Sequence, residues 1–260
     1  MKKLYLVFVS ALLVSACGGA DVLAPWREGY LDIHQISTGR GNATFMILPD
    51  GTTMMVDMGD LGDTSHFRQE VMPAVPSSEK SPAEWVARYV RHFSKPLRND
   101  GRIDMMLITH YDSDHIGILG RSGVSELDSL LHIEKIVDRG YDYPTPELAF
   151  AMNRWTLPGY LKTMESRAAR GLGYEKFVVG SDTQFALLHE PREDFKIRNV
   201  YANGHLWTGG GLHDVVIGEG DEYAENLKAM NENRVSCTIN ISYGDFDYHN
   251  GGDIQGSSPN

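Results

Sequence analysis

The stretch IDMMLITHYDSDHIG, at positions 103–117, decides which fold this chain adopts. Its first half is an apolar run of the kind that forms a buried strand. Its second half offers four side chains that can bind a metal within six consecutive positions, namely His110, Asp112, Asp114 and His115. The run therefore predicts a divalent-metal site where a strand emerges from the core.

The spacing of these four side chains suits two neighbouring ions. Alternate side chains of an extended segment point to the same side, so His110 and Asp112 can chelate one ion. A turn at Ser113 would direct Asp114 and His115 towards a second ion. Imidazole and carboxylate suit zinc, which is the first expectation, and also manganese or iron. The alternative is a polar loop with a helix-capping aspartate, but the density of ligands after a buried strand favours the metal site.

The segments around the motif predict one α+β domain. Strands are predicted at 30–36, 43–48, 52–57, 103–109, 133–138, 184–189, 195–202, 235–243 and 246–249. Short connections between the first three indicate an antiparallel meander. Ser81 and Pro82 predict the start of a helix over Pro82–Phe93, and residues 145–170 are mostly helical with an interruption at Pro158 and Gly159. Strands, then helices, then strands again favour a layered sandwich.

The N-terminus has the order of a bacterial lipoprotein signal. Lys2 and Lys3 precede an apolar run, which ends in VSACGG at positions 14–19. That ending resembles the lipobox, in which Cys17 would be lipidated and would anchor an exported protein to a membrane, facing the periplasm or the cell surface. A plain secretory signal is the alternative. We therefore expect a lipoprotein signal segment at 1–17, a linker at 18–28 and the domain at 29–260.

Composition limits the partners and the chemistry. The net charge is −11, from 35 acidic and 24 basic residues, which argues against stable coating of nucleic acid without excluding a nuclease. Cys237 is the only cysteine besides Cys17, and it lies in an alternating strand-like segment, which predicts a small core residue rather than a nucleophile. Gly-x-Ser-x-Gly is absent, so a serine hydrolase is not expected.

The metal motif resembles the His-x-His-x-Asp-His signature of the metallo-beta-lactamase superfamily, with Asp112 where the second histidine usually stands. The form His-x-Asp-x-Asp-His resembles that of the metallo-hydrolase domains of ComEC-type DNA-uptake competence proteins. Three other segments resemble that subgroup in matching order: DIHQISTGRGNA at 32–43, MVDMG at 55–59, and NENRVS at 231–236 followed by GGDI at 251–254. Only the metal motif is individually specific.

The resemblance implies a four-layer αββα sandwich with its metals at one edge. It implies that His110 and Asp112 hold the first ion, that Asp114 and His115 hold the second, and that Asp253 bridges them. Paired ions can hold a hydroxide that is nucleophilic at neutral pH. Asp114 and Asp57 are the candidate catalytic residues, and Asp57 would act by orienting a metal-binding histidine. For Asp57, the alternative is an aspartate that merely ends a strand.

The sequence departs from the subgroup at three places. Asn42 stands where an aspartate is usual, and Asp112 makes the ligand set richer in oxygen. A third histidine for the first ion has no clear position; His205 is the best candidate among His132, His189, His205 and His213. The family carries a final metal-binding histidine after the bridging aspartate, but this sequence ends seven residues after Asp253. We therefore expect a C-terminally incomplete domain, with His249 as a weak substitute ligand.

The resemblance thus implies a metal-dependent hydrolase that uses one or two divalent ions on a phosphodiester or another ester, or on a small-molecule substrate. A lactamase is a rival with the same fold. The alternative of a different class is a non-catalytic, membrane-anchored binding lipoprotein that keeps a residual metal site.

Overall fold

The computed structural model of the protein describes residues 23–39, 41–59, 75–140, 156–215, 222 and 232–254. Within this part, the strands are β1 (Asp32–Gln35), β2 (Thr44–Ile47), β3 (Thr53–Val56), β4 (Ile103–Ile108), β5 (Gly117–Ile118), β6 (Ser122–Gly123), β7 (Ile133–Asp138), β8 (Gly173–Lys176), β9 (Phe195–Ala202), β10 (His205–Trp207), β11 (Leu212–Asp214), β12 (Thr238–Tyr243) and β13 (Phe246–Asn250). The helices are α1 (Pro82–Phe93), α2 (Ser113–Ile116), α3 (Val124–Leu130) and α4 (Leu157–Ala169), with 3₁₀ turns at Lys95–Leu97 and Asn233–Val235.

The strands form two large sheets. The first has the order β1-β2-β3-β4-β7-β8. Its first three strands are an antiparallel meander, as predicted, and β4, β7 and β8 then add in parallel. The second sheet has the order β11-β10-β9-β12-β13 and is antiparallel throughout. The predicted α+β class is therefore confirmed.

The two faces of the first sheet are buried against different partners. In β4, Met106 and Ile108 pack with the apolar faces of α1, α3 and α4, whereas Met105 and Leu107 pack against the second sheet. Because successive side chains of a strand point to opposite faces, an unbroken apolar strand needs a partner layer on each side. Burial on both faces explains why residues 103–108 are almost all apolar.

Helix α1 begins where the sequence predicts. The Ser81 side chain accepts a hydrogen bond from the Glu84 backbone N–H at 3.1 Å, and the Glu84 carboxylate accepts one from the Ser81 N–H at 2.9 Å. This capping box satisfies two backbone donors at the helix start, and Pro82 has no N–H to satisfy.

One local prediction was wrong. Residues 184–189 form no strand; side chains hold this segment instead, since the backbone N–H of Leu188 donates to Thr52 and that of His189 to Asp50. The segment predicted to be mostly helical, 145–170, is described only from residue 156 onwards, where α4 begins at Leu157 and has Pro158 in its first turn.

The layers seen in the described residues are helices, the first sheet and the second sheet. On β9 and β12, the side chains that alternate with the buried Ile197 and Ile241 are polar: Lys196, Arg198, Asn240 and Ser242. In the part of the chain that the structure describes, no helix covers this outer face. The predicted signal segment at 1–17, including Cys17, lies outside the described residues, as does residue 40 of the early Gly-rich turn.

Candidate metal centre

The parallel pairing of β3 and β4 brings two parts of the site together. Val56 lies opposite Leu107, so the residues that follow each strand emerge at the same edge of the sheet. Asp57 follows β3 and Thr109 follows β4. The start of β12 joins this edge as well, because the backbone N–H of Cys237 donates to the Thr109 carbonyl at 2.8 Å.

The motif turns sharply after Asp112. The carbonyl of Asp112 accepts hydrogen bonds from the N–H groups of His115 and Ile116, at 2.9 and 3.0 Å, which closes the single turn of α2. This turn returns the His115 side chain to the protein interior. The Asp112 carboxylate makes no capping hydrogen bond. The alternative of a polar loop with a helix-capping aspartate therefore has no support in the geometry.

Three potential ligand groups converge at this edge: His110, His115 and Asp253. Their ligand atoms all lie within 4.8 Å of one another, and the two imidazole rings have centroids 4.0 Å apart. The Nε2 atom of His115 lies 3.2 Å from Oδ1 of Asp253. Both histidines are buried, whereas Asp253 is partly exposed at the rim.

The two histidines share one arrangement. The Nδ1 atom of His115 lies 2.8 Å from Oδ2 of Asp57. The Nδ1 atom of His110 lies 3.1 Å from the Thr109 hydroxyl and 3.2 Å from the Ser236 hydroxyl. In both rings Nδ1 contacts the protein interior and Nε2 remains for the cleft. The Nε2 atom of His110 is buried and has no hydrogen-bond partner.

Asp57 is the buried anchor of the site. It has a left-handed backbone (φ 59°), and its carboxylate accepts hydrogen bonds from the backbone N–H and the hydroxyl of Thr109, both at 2.8 Å. The Asn42 amide donates to the same carboxylate at 3.2 Å. An aspartate at position 42 would instead place a second negative charge beside Asp57. Asn42, which stands where the resembling subgroup has an aspartate, thus supplies a hydrogen-bond donor to the buried Asp57 carboxylate.

Glycines allow the segments of the site to approach each other closely. A Cβ on Gly59 would lie 1.6 Å from the Asp114 carbonyl oxygen, which no side chain tolerates. At the other side of the cleft, Gly252 has φ 53°, and a Cβ there would lie 2.9 Å from the Cβ atoms of both Thr109 and Ser236. This tight approach is what carries Asp253 to His115.

Asp112 and Asp114 lie at the margin of the converging group. Oδ2 of Asp112 is 3.6 Å from Nε2 of His110, and Oδ2 of Asp114 is 4.0 Å from Nε2 of His115. All five predicted ligands therefore lie near one another, and Asp114, His115 and Asp253 among them line the cleft. Three of them already form a compact set, and the two aspartates would complete the set only by moving closer.

The carboxylates strongly affect His115. Burial alone would lower the pKa of this histidine, but Asp57, Asp253 and Asp114 raise the pKa to about 10. In return, the hydrogen bond from His115 lowers the pKa of Asp253. Burial raises the pKa of Asp114, only partly offset by His115. The carboxylates around His115 thus make this part of the protein a suitable environment for a cation.

The cleft over these groups is polar and open. It has a volume of about 430 Å³ and is lined by Gly41, Asn42, Asp114, His115, Asn250, Gly251, Gly252 and Asp253. Glycines on both sides expose backbone groups to a bound molecule. Such a cleft suits a polar substrate better than an apolar one.

The histidines considered as further ligands do not join the group. His205 contacts Asp214 at 2.7 Å, and His132 contacts Glu134 at 2.9 Å. His189, His213 and His249 are also absent from the converging set within the described residues. Cys237 is fully buried, as predicted, and burial raises the pKa of its thiol, which makes it a poor nucleophile.

Sequence reasoning missed the residues behind the histidines. Glu232 accepts a hydrogen bond from the Tyr111 N–H at 2.9 Å and forms a buried ion pair with Arg139 at 2.8 Å. Ser236 was noted only as part of a resembling segment. The available signal was the cluster of polar residues just before an apolar strand, at 231–236.

No protein-family model matches the chain, and no curated protein matches it. Among the described residues, no helix combines the length and the apolar character needed to cross a membrane.

Proposed function

We propose that this protein is a metal-dependent hydrolase of the metallo-beta-lactamase superfamily, with the four-layer αββα arrangement of that family and one or two divalent ions. One observation carries the proposal: two buried imidazoles, each with its Nδ1 atom in contact with the protein, direct their Nε2 atoms to the same point beside a carboxylate.

The residues fit a metal ion. The Nε2 atom of His110 is buried without a partner, which costs free energy unless a ligand satisfies it. Nitrogen from two histidines with one carboxylate oxygen is a common three-ligand set for a catalytic zinc site, and oxygen from Asp112 would favour manganese or iron. His110, His115 and Asp253 would hold the first ion, and Asp112 and Asp114 would contribute to a second.

A bound ion would polarise the ester group and lower the pKa of a water molecule. The protein's own residues orient the ligands and contact the substrate. Asp57 keeps His115 in one orientation through a 2.8 Å contact. Asp114 lines the cleft, and burial raises the pKa of its carboxyl group; its position lets it contact a substrate bound beside His115.

The substrate class in this proposal is a phosphodiester or a related ester. The polar lining and the open mouth of the cleft support it, since a polar ester can reach these residues from solvent. A lactamase remains the same-fold alternative, which a chromogenic β-lactam would reveal.

The first experiment is to measure the metal content of the purified protein and its melting temperature with and without zinc, manganese and iron(II). We expect a divalent ion to bind and to raise the melting temperature. Hydrolysis of bis(4-nitrophenyl) phosphate should then require metal and be lost in His110→Ala. Absence of metal binding, or full activity in His110→Ala, would contradict the proposal. His205→Ala is the matched control, because that side chain lies outside the converging group.

Metal binding without turnover of any ester would favour the non-catalytic binding lipoprotein. One feature supports that alternative: Asp112 is 40% exposed and lies 3.6 Å from His110, so the second ion has an incomplete set among the described residues.

We further propose that the protein is exported and anchored through lipidated Cys17. The support is the order of charged, apolar and small residues at 1–19. Metabolic labelling with an alkyne fatty acid should label the wild type and not Cys17→Ser, and Cys237→Ser should remain labelled.

A further inference from the structure

The two hydroxyl groups that contact His110 each donate their hydrogen bond to another acceptor. The Ser236 hydroxyl donates to the backbone carbonyl of Asn233 at 2.7 Å. The Thr109 hydroxyl donates to the Asp57 carboxylate at 2.8 Å. A hydroxyl has a single hydrogen, so both oxygens can only accept a hydrogen bond from the Nδ1 atom of His110.

This arrangement determines where the proton of a neutral His110 resides. With two acceptors around it, Nδ1 must carry hydrogen, because a lone pair there would face two oxygen lone pairs at 3.1 and 3.2 Å. The lone pair of the ring is therefore on Nε2, which is the buried atom that has no partner. The hydrogen bond on one imidazole nitrogen thus selects the role of the other.

We propose that Ser236 is a positioning residue that keeps His110 in the Nδ1–H form, with the Nε2 lone pair free for an ion held together with His115 and Asp253. The inference rests on the proposed function only for its consequence, which is tighter metal binding. Asp57 does the corresponding work for His115 with a full charge. Ser236 does it for His110 with a neutral group, and because it lies two residues before β12 it connects this histidine to the second sheet.

Ser236 is held firmly enough for this role. It is fully buried and lies 126 residues after His110. Its side chain packs against Gly252, where even a single added carbon would lie 2.9 Å from the Ser236 Cβ. The hydroxyl is held between the Asn233 carbonyl and the His110 ring by its two hydrogen bonds.

The test compares two substitutions in and just before β12. Ser236→Ala removes one of the two acceptors at His110 while keeping the Cβ and leaving Thr109 in place. Thr238→Val is the matched control, since it also removes a buried hydroxyl close by but one that has no hydrogen-bond partner. Zinc affinity, measured by competition with a chromogenic chelator, should fall roughly 10-fold or more in Ser236→Ala, as for other groups that orient a ligand histidine, and by less than about 2-fold in Thr238→Val.

A second measurement needs no metal. The ¹⁵N chemical shifts of imidazole nitrogens distinguish protonated from unprotonated nitrogen, and a His110→Gln spectrum identifies the resonances of His110. At pH 8, the metal-free wild type should show a protonated Nδ1 and an unprotonated Nε2. In Ser236→Ala, the Nε2–H form should become populated.

The outcomes separate the two proposals. Failure of the wild type to bind any metal would overturn the proposed function, while the nitrogen shifts would still test the role of Ser236. A protonated Nε2 in the wild type, unchanged shifts in Ser236→Ala, or equal losses of zinc affinity in Ser236→Ala and Thr238→Val would each overturn this inference.

Discussion

The carboxylate of Asp57 lies 2.8 Å from the Nδ1 atom of His115, with both side chains buried and 58 residues apart in the sequence. Because the same carboxylate also accepts hydrogen bonds from Thr109 and Asn42, it joins the ends of two parallel strands and one imidazole. Several predictions about metal binding and stability depend on this contact and on its neighbours.

Replacing Asp57 by Asn should weaken both the fold and the metal site. The amide keeps the shape but loses the charge-assisted hydrogen bonds, so we expect the free energy of unfolding to fall by about 2 kcal/mol. Metal affinity should fall roughly 10- to 100-fold, because His115 loses its orienting partner. Chemical unfolding and chelator competition measure the two effects. Unchanged metal affinity would show that Asp57 merely ends a strand.

The metal-free protein should become less stable as the pH rises from 7 to 9. The pKa of His115 is about 10 in the folded protein, against about 6.5 in the unfolded chain. Its contribution is therefore complete below pH 6.5 and is lost as the pH approaches 10. Urea unfolding in the presence of EDTA checks this, with His115→Gln as the control that lacks the dependence. Equal pH slopes in the two proteins would contradict it.

Metal binding should release a proton and strengthen as the pH rises. His115 carries an extra proton below pH 10 in the metal-free protein, and an ion at Nε2 must displace it. Between pH 6.5 and 8.5 the apparent affinity should rise up to about tenfold per pH unit. Calorimetry in buffers of different ionisation enthalpy counts the released protons. A count of zero would mean that His115 is not a ligand.

Gly59→Ala should disrupt the motif without touching a ligand. The new methyl group would overlap the Asp114 carbonyl, so the turn that follows Asp112 must shift. We expect a loss of about 3 kcal/mol in stability and loss of metal binding. Gly210→Ala is the control, because a Cβ there meets nothing within 4 Å. Similar stability of both variants would refute the close packing of the two segments.

Breaking the buried ion pair behind the motif should also loosen the site. Glu232→Ala leaves Arg139 without that carboxylate and the backbone N–H of Tyr111 without its side-chain acceptor, which should cost about 3 kcal/mol. Since Tyr111 follows His110 directly, metal affinity should fall as well. Arg192→Met, which breaks the exposed pair with Asp194, should leave both properties unchanged. Equal stability and equal metal affinity in Glu232→Ala and Arg192→Met would contradict a role of this ion pair in the site.

The local parts of the fold and of the site were predictable from the sequence. Four of the five candidate ligands lie within six positions, so a strand followed by one turn is enough to gather them. The capping box of α1 and the meander of β1, β2 and β3 depend on similarly short-range signals.

Other features depend on contacts that one sequence does not reveal. The Gln184–His189 region resembles a strand, but Asp50 and Thr52 capture its backbone donors from a distant turn. The outer face of the second sheet carries polar side chains, such as Arg198 and Asn240. Which face of a short strand is exposed becomes clear only when its partner layer is known. The contact of Ser236 with His110 becomes visible only once the residues before β12 lie beside the residues after β4.

The position of Gly252 has a further consequence for how the domain holds together. The two histidines follow β4 of the first sheet, whereas Asp253 follows the last strand of the second, and Gly252 packs against Thr109 and Ser236 at one of the places where the two sheets meet. An ion held by all three would cross-link the two sheets. Metal binding should then slow amide hydrogen exchange in β12 and β13 as well as at the motif, and removal of the ion should increase local opening between the sheets.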